Sequence, residues 1–356
     1  MAVAASLLSP GLGGASPIRP TSWHTGGMAV FRRPPLWLLG LSIATVAAGA
    51  AVASQSLTLR RWSKRPTDFD PDHFLFPGTE HVLATPDGGS VFAIEAGAGP
   101  TVILGHGLTG DHTHWAPVAH RLLAEGFRVV IFDQRGHGKS SAGSEGLSLQ
   151  GLANDVATVI TELGGDDKVI IVGHSLGGVG VQSIARHHPE VLAKVDGAIL
   201  VATLGHTIAA SVAKLLSNPL VLLAFHRLVK NPNRARLAAR GGFGTEFSVP
   251  MLDQLALTWE QTPDSTLVGF GAALGSFNLL PDLAGFNVPT VVICGTVDTV
   301  TPMKLSEEIH AALPNSRLVP VAGAGHMIVW EAPAAIAKEI IALAGTAGQP
   351  ASIAAS

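Results

Sequence analysis

The sequence predicts an α/β fold in which a mostly parallel sheet is covered by helices on both faces. Its short apolar runs are rich in β-branched residues and are continuous rather than alternating, which is typical of strands buried on both faces. These runs are Val91–Ala96, Thr101–Leu104, Val129–Phe132, Val169–Val172, Ala198–Val201, Val291–Cys294 and Leu318–Val321. Patterns with helical spacing separate several of them, at Leu149–Leu163, Leu176–His187, Met303–Leu313 and Pro333–Leu343.

One long segment interrupts this alternation. Residues 203–286 contain no strand-like run, and their apolar residues recur at helical spacing. We therefore interpret them as a helical cap that is inserted into the domain after the strand ending at Val201.

The composition limits the class of protein. The chain has 356 residues, of which 47% are hydrophobic and 14% charged, and this apolar balance excludes a chain that is disordered throughout. A net charge of −3 provides no field that would attract nucleic acid, so no nucleic-acid partner is expected. Cys294 is the only cysteine and cannot form an internal disulfide.

The N-terminal part contains an uncharged run from Leu36 to Leu59. Its length is sufficient for a helix to cross about 30 Å of hydrocarbon, so we predict a transmembrane helix at residues 36–59 that would bind the chain to a membrane. More basic residues follow the run than precede it, which favours a catalytic domain on the cytoplasmic side. The alternative is a secretory signal cleaved near Ala53, with a secreted product.

These features divide the chain into segments. Residues 1–35 are expected to be a disordered or untranslated extension, because they are rich in Gly, Ala, Ser and Pro and Met28 offers an alternative start. Residues 60–78 are expected to be a linker, residues 79–344 the folded domain, and residues 345–356 a flexible tail.

The pattern Gly173-His174-Ser175-Leu176-Gly177 stands between a predicted strand and a predicted helix. In that context the pattern is typical of a sharp turn that presents a serine hydroxyl above the sheet. A serine hydroxyl needs an adjacent base, and the base needs a third group that orients it. Ser175 is therefore the candidate nucleophile.

Two further residues follow in the chain order that this kind of site requires, which is serine, acid, histidine. Asp298 lies just after the strand Val291–Cys294, and His326 lies just after the strand Leu318–Val321. Open α/β sheets place their ligands at these carboxyl ends of strands, so we predict a catalytic triad of Ser175, Asp298 and His326.

The negative charge that develops on a substrate oxygen needs hydrogen-bond donors that are already in place. The backbone N–H of Leu176, directly after the candidate nucleophile, is one expected donor. We assign the second to the backbone N–H of Leu108, in the loop that follows the strand Thr101–Leu104.

With these motifs the chain resembles the α/β-hydrolase-fold serine hydrolases, from Thr79 to about Ala344. The resemblance includes His106-Gly107, the stretch from Asp133 to Ser140, and Gly325-His326-Met327. It implies an α/β-hydrolase fold with an inserted cap, and a scaffold role for the stretch from Asp133 to Ser140.

Within that family, several activities fit this sequence poorly. Epoxide hydrolases and haloalkane dehalogenases use an Asp nucleophile, and the former also use cap tyrosines, whereas this chain has Ser175 and no Tyr. Carbon–carbon bond hydrolases typically place Trp where this chain has Met327, and proline iminopeptidases show a different loop after the oxyanion histidine.

The sequence therefore favours an enzyme that hydrolyses small-molecule carboxylic esters with hydrophobic, lipid-like acyl groups. Thioester hydrolysis, acyl transfer and carbon–carbon bond hydrolysis on the same triad are alternatives, as is a receptor of the same fold with low turnover. No cofactor is expected. No metal is expected either, because the histidine pairs at His112 and His187 lack further ligands in a motif.

Overall fold

The structure is a computed structural model that describes residues 54–64, 71–207 and 218–346. The chain divides into two units, Met1–Ser56 and Leu57–Ser356, and nearly all described residues belong to the second. The expectations for residues 1–35 and 347–356 lie outside the described residues, as do the middle of the linker and residues 208–217 of the cap.

The prediction of a transmembrane helix needs correction. No helix within residues 54–64, 71–207 and 218–346 is long and apolar enough to cross a membrane. Residues 36–53 of the predicted span lie outside these ranges. Its last residues, 54–59, are helical, but the helix continues through Arg60 and Arg61, whose charges are costly in hydrocarbon.

The centre of the fold is a sheet of eight strands in the order β1-β2-β4-β3-β5-β6-β7-β8. Only β2 runs antiparallel to its neighbours, and all pairs from β4 to β8 are parallel. The strands are β1 Thr79–Ala84, β2 Ser90–Ala96, β3 Thr101–Gly105, β4 Arg128–Phe132, β5 Val169–His174, β6 Val195–Val201, β7 Thr290–Gly295 and β8 Ser316–Val321.

Helices follow most of the parallel strands. In the described residues they are α1 Ala116–Ala124, α2 Leu149–Leu163, α3 Leu176–His187, α4 Pro219–Val229, α5 Pro232–Ala239, α6 Val249–Gln261, α7 Asp264–Leu274, α8 Met303–Ala312, α9 Ile328–Glu331 and α10 Pro333–Thr346. The helices α4 to α7 lie between β6 and β7, in the segment that the sequence analysis interprets as a cap.

Alternate residues of the central strands pack into two separate cores. In β3, Val102 and Leu104 belong to one core, whereas Ile103 belongs to the other. All five residues of this strand are buried, because helices cover both faces of the sheet. This double burial explains the continuous apolar runs, and it confirms the predicted α/β fold.

One strand was not predicted from apolar runs, and part of the predicted linker packs on the domain. The edge strand β1 was missed because its sequence is mixed and most of it is exposed, with Val82 73% exposed. In the predicted linker, Phe74 and Phe76 are buried in the first core, and the Phe74 ring lies 4.9 Å from that of Trp330. This part of the linker therefore packs as part of the folded unit.

Candidate active site

Ser175 lies in a sharp turn between β5 and α3. Its backbone has φ +51° and ψ −115°, a conformation that side chains rarely adopt and that costs about 1–3 kcal/mol. A Cβ atom on Gly173 would lie 2.4 Å from the backbone of Gly177, and one on Gly177 would lie 2.2 Å from the Gly105 carbonyl oxygen. Glycine is therefore required at both positions for the turn to form.

The three residues predicted as a triad are brought together. The Ser175 Oγ atom lies 3.1 Å from His326 Nε2, and His326 Nδ1 lies 2.9 Å from Asp298 Oδ2. His326 follows β8 and Asp298 follows β7, so both residues come from the carboxyl ends of strands. The arrangement can move a proton from the serine hydroxyl to the imidazole, with a carboxylate beside the opposite ring nitrogen.

Asp298 is held in place by its own loop. The backbone N–H groups of Val300 and Thr301 donate to Oδ1 at 2.8 and 2.9 Å, and the Thr301 hydroxyl donates to Oδ2 at 2.7 Å. Burial raises the pKa of Asp298, but the hydrogen bond and charge of His326, together with Thr301, outweigh burial and lower it overall. Thr301 was not predicted, because a threonine three residues after an acid carries no signal of its own.

The two predicted oxyanion donors line the same cavity as Ser175. Leu176 is the first residue of α3, so its N–H has no acceptor within the helix. In the described part of the chain, no protein acceptor takes the N–H of Leu108. A Cβ atom on Gly107 would lie 3.1 Å from the Ser175 Cβ, which shows how closely this loop approaches the serine.

The cavity above Ser175 has a volume of about 620 Å³. Residues between β6 and β7 form much of its wall, and most of them are apolar or glycine. They are Leu204, Ala238, Gly241, Gly242, Leu255, Trp259, Gly271 and Leu274. In the described part of the chain, no Lys, Arg, Asp or Glu lines the cavity, so it suits an uncharged, hydrophobic group.

Four histidines near the site, His106, His114, His137 and His174, are almost completely buried. Burial is the main cause that lowers the pKa of each, to about 4 for His114 and to about 3 for His137. All four are therefore neutral at pH 7. For His137, the family resemblance implies only a scaffold role.

His174, beside the serine, contacts the backbone of the histidine in the triad. Its Nε2 atom lies 2.9 Å from the carbonyl oxygen of His326, and must donate because a carbonyl can only accept. The two imidazole rings lie 4.9 Å apart. His174 thus fixes the position of His326 through the main chain.

Glu331 joins the loop before α6 to the loop that contains His326. Its Oε1 atom accepts from the Gly325 N–H at 2.9 Å, and its Oε2 atom accepts from the Gly244 N–H at 2.7 Å. Burial raises the pKa of Glu331 to about 7, although both hydrogen bonds oppose this shift. Sequence reasoning missed this residue, because its partners are distant or are backbone groups.

Comparison with known proteins decides the family. A family model for the alpha/beta hydrolase fold matches residues 100–333, well over half of the chain. The chain is an α/β hydrolase. Among the residues that the structure describes, no group of three or more His, Cys, Asp or Glu side chains is placed to hold a metal ion.

Several α/β hydrolases are similar along most of their length. The chain is 30% identical to the AB hydrolase superfamily protein YisY of Bacillus subtilis, over 70% of this chain and 94% of YisY. It is 27% identical to a non-heme haloperoxidase of Rhodococcus erythropolis, over 67% of this chain and 90% of that protein. Its fold matches an esterase from Exiguobacterium antarcticum with a TM-score of 0.64 and 22% identity, covering 75% of this chain and 98% of the esterase.

The buried neutral histidines predict that acid weakens the fold. Their folded pKa values lie below the ordinary value of 6.5, so their contribution is fully present above that pH and is lost as the pH falls below it. Glu331, His112 and His206, whose pKa values are raised, gain stability over the same pH range and oppose this loss in part. The free energy of unfolding, measured by urea denaturation, should therefore fall from pH 7 to pH 5.

A free energy of unfolding that stays constant or rises from pH 7 to pH 5 would contradict this reading. His114→Gln should flatten the pH dependence by about one proton, because it removes one of the four groups.

Proposed function

We propose that this protein is a serine hydrolase that cleaves carboxylic esters through an acyl-enzyme intermediate on Ser175. The observation that carries the proposal is the hydrogen-bonded chain from Ser175 Oγ through His326 to Asp298, at the base of an apolar cavity. His326 is the proposed general base, and Asp298 is the proposed group that orients it and stabilises its protonated form.

The proposed reaction has two halves. In the first half, His326 Nε2 takes the proton of Ser175 as Oγ attacks the ester carbonyl carbon. The N–H groups of Leu108 and Leu176 stabilise the oxyanion, and His326 then gives the proton to the leaving alcohol as the C–O bond breaks. In the second half a water molecule attacks the acyl-enzyme in the same way, which releases the acid and restores Ser175.

The cavity wall supports a hydrophobic acyl group as the preferred substrate. Apolar contact is available from Leu204, Leu255, Trp259 and Leu274, and each buried CH₂ contributes about 0.8 kcal/mol. The lack of Lys and Arg among the described lining residues also favours simple esters over thioesters of a phosphorylated carrier. Acyl transfer shares the acyl-enzyme and would compete with hydrolysis when an alcohol is present.

The first test concerns the triad. Ser175→Ala and His326→Ala should each lower kcat for p-nitrophenyl ester hydrolysis by at least about 10³-fold, and the double variant should be scarcely worse, because the residues act as a unit. Ser183→Ala is a matched control, since Ser183 lies in the following helix and its hydroxyl donates only to the Val179 carbonyl. This control should retain turnover close to that of the unmodified protein.

The triad assignment is overturned if Ser175→Ala keeps more than about a tenth of the kcat of the unmodified protein, since loss of a nucleophile costs orders of magnitude.

The second test concerns the acyl group. From C2 to C8 esters, kcat/KM should rise by one to about two orders of magnitude, because the added methylenes are buried in the transition state. Leu255→Ala should weaken the preference for longer chains, since Leu255 lines the cavity. Leu257→Ala is the matched control, because Leu257 lies on the same helix but is 44% exposed and does not line the cavity.

A flat or falling kcat/KM from C2 to C8, measured below the concentration at which the esters aggregate, would show that the cavity does not bind the acyl group.

A further inference from the structure

The loop that presents the Leu108 N–H contains a strained residue. Thr109 has φ +63°, and a β-branched residue in this left-handed region is a genuine outlier. The turn closes with a hydrogen bond of 3.1 Å from the Gly110 N–H to the Gly107 carbonyl. A strained conformation persists only where surrounding contacts enforce it, so a neighbouring group must hold Thr109.

That group is His137, from the loop after β4. The Thr109 N–H lies 3.1 Å from His137 Nε2, and the Thr109 hydroxyl donates to the Leu108 carbonyl at 2.6 Å. The peptide plane between Leu108 and Thr109 is therefore fixed at both its N–H and its carbonyl end. The same peptide bond connects Leu108, whose N–H is the proposed oxyanion donor, to the strained residue Thr109.

The chemistry of the contact requires one form of the histidine. Because Nε2 faces a backbone N–H, it must be unprotonated and accept. The opposite nitrogen, Nδ1, lies 3.2 Å from the Arg135 carbonyl oxygen and therefore carries the hydrogen. His137 is 2% exposed, and burial lowers its pKa to about 3, so this acceptor persists at neutral pH.

The local sequence aims His137 at the loop. Gly136 and Gly138 on either side have φ +74° and +49°, which gives a tight turn with the imidazole between them. The ring stacks on Phe270 of α7 at 5.8 Å between centroids. The two flanking glycines and the Phe270 ring thus hold His137 in the orientation that offers Nε2 to Thr109.

We propose that His137 is a positioning residue that holds Thr109 in its strained conformation and thereby keeps the Leu108 N–H directed at the substrate oxygen. The inference rests on the proposed function for its effect on turnover, but the hydrogen bond and the tautomer can be tested without any substrate.

The main test is a double-mutant cycle. His137→Phe keeps an aromatic ring but removes the acceptor, and should lower kcat by about 10- to 100-fold with KM changed less than about threefold, because oxyanion stabilisation acts mainly in the transition state. Thr109→Gly removes the strain, since glycine adopts positive φ readily. In the Thr109→Gly background, His137→Phe should lower kcat only about two- to fivefold.

Two further variants separate positioning from general destabilisation. His137→Gln retains an acceptor on its side chain and should keep kcat within about fivefold of that of the unmodified protein. Phe270→Leu removes the stacking partner but not the acceptor, so it should lower the melting temperature while kcat changes less than in His137→Phe. If His137→Phe lowers kcat by the same factor in the unmodified protein and in the Thr109→Gly background, the inference is overturned.

A substrate-free measurement keeps this result distinct from failure of the proposed function. In protein labelled with ¹⁵N-histidine, NMR should show His137 with the hydrogen on Nδ1 and with no titration between pH 8 and pH 5. A hydrogen on Nε2 would contradict the inference even if esters are hydrolysed. If the tautomer is as expected but the Ser175→Ala variant still turns over esters, the proposed function alone is contradicted.

Discussion

The parallel pairing of β3 with β5 is the constraint on which the candidate active site depends. The register sets Gly105, the last residue of β3, opposite Gly173, one residue before the end of β5. The loop with Leu108 follows the first strand and the turn with Ser175 follows the second, so the pairing brings the proposed oxyanion donors and the proposed nucleophile together. Because a Cβ atom on Gly173 or Gly177 would collide with backbone, this approach depends on glycine.

Burial also determines the protonation of the histidines around the site. It holds four histidines neutral, and each neutral imidazole can donate from one nitrogen and accept at the other. His106 donates from Nδ1 to the Gly107 carbonyl and accepts the Gln134 N–H at Nε2. His137 likewise links the Arg135 carbonyl to the Thr109 N–H. The loops after β3 and β4 are thus joined by imidazoles that protonation would disrupt.

The sequence predicts most of this architecture because its signals are local. Double burial produces continuous apolar strands, and the turn at Ser175 has its own glycine pattern. Chain order led to the placement of Asp298 and His326, which the structure brings next to Ser175. Both residues could be assigned because each follows a predicted strand in the sequence.

Other features depend on contacts that are distant along the chain. Glu331 accepts from Gly244, and the tautomer of His137 is set by Thr109, so neither role has a local pattern. The edge strand β1 was missed because most of its residues are exposed, so it has no continuous apolar run. The transmembrane prediction is wrong because it treated Arg60 and Arg61 as a flank, whereas the described helix at residues 54–62 includes both, and no described helix is long and apolar enough to cross a membrane.

The central claim is that Ser175 is acylated during turnover, and peptide mapping after rapid acid quench tests it most directly. With p-nitrophenyl octanoate as substrate, the peptide that contains Ser175 should gain the mass of one octanoyl group, and the label should disappear as turnover ends. Ester hydrolysis without an acyl adduct on that peptide, or with the adduct on another residue, would contradict the account.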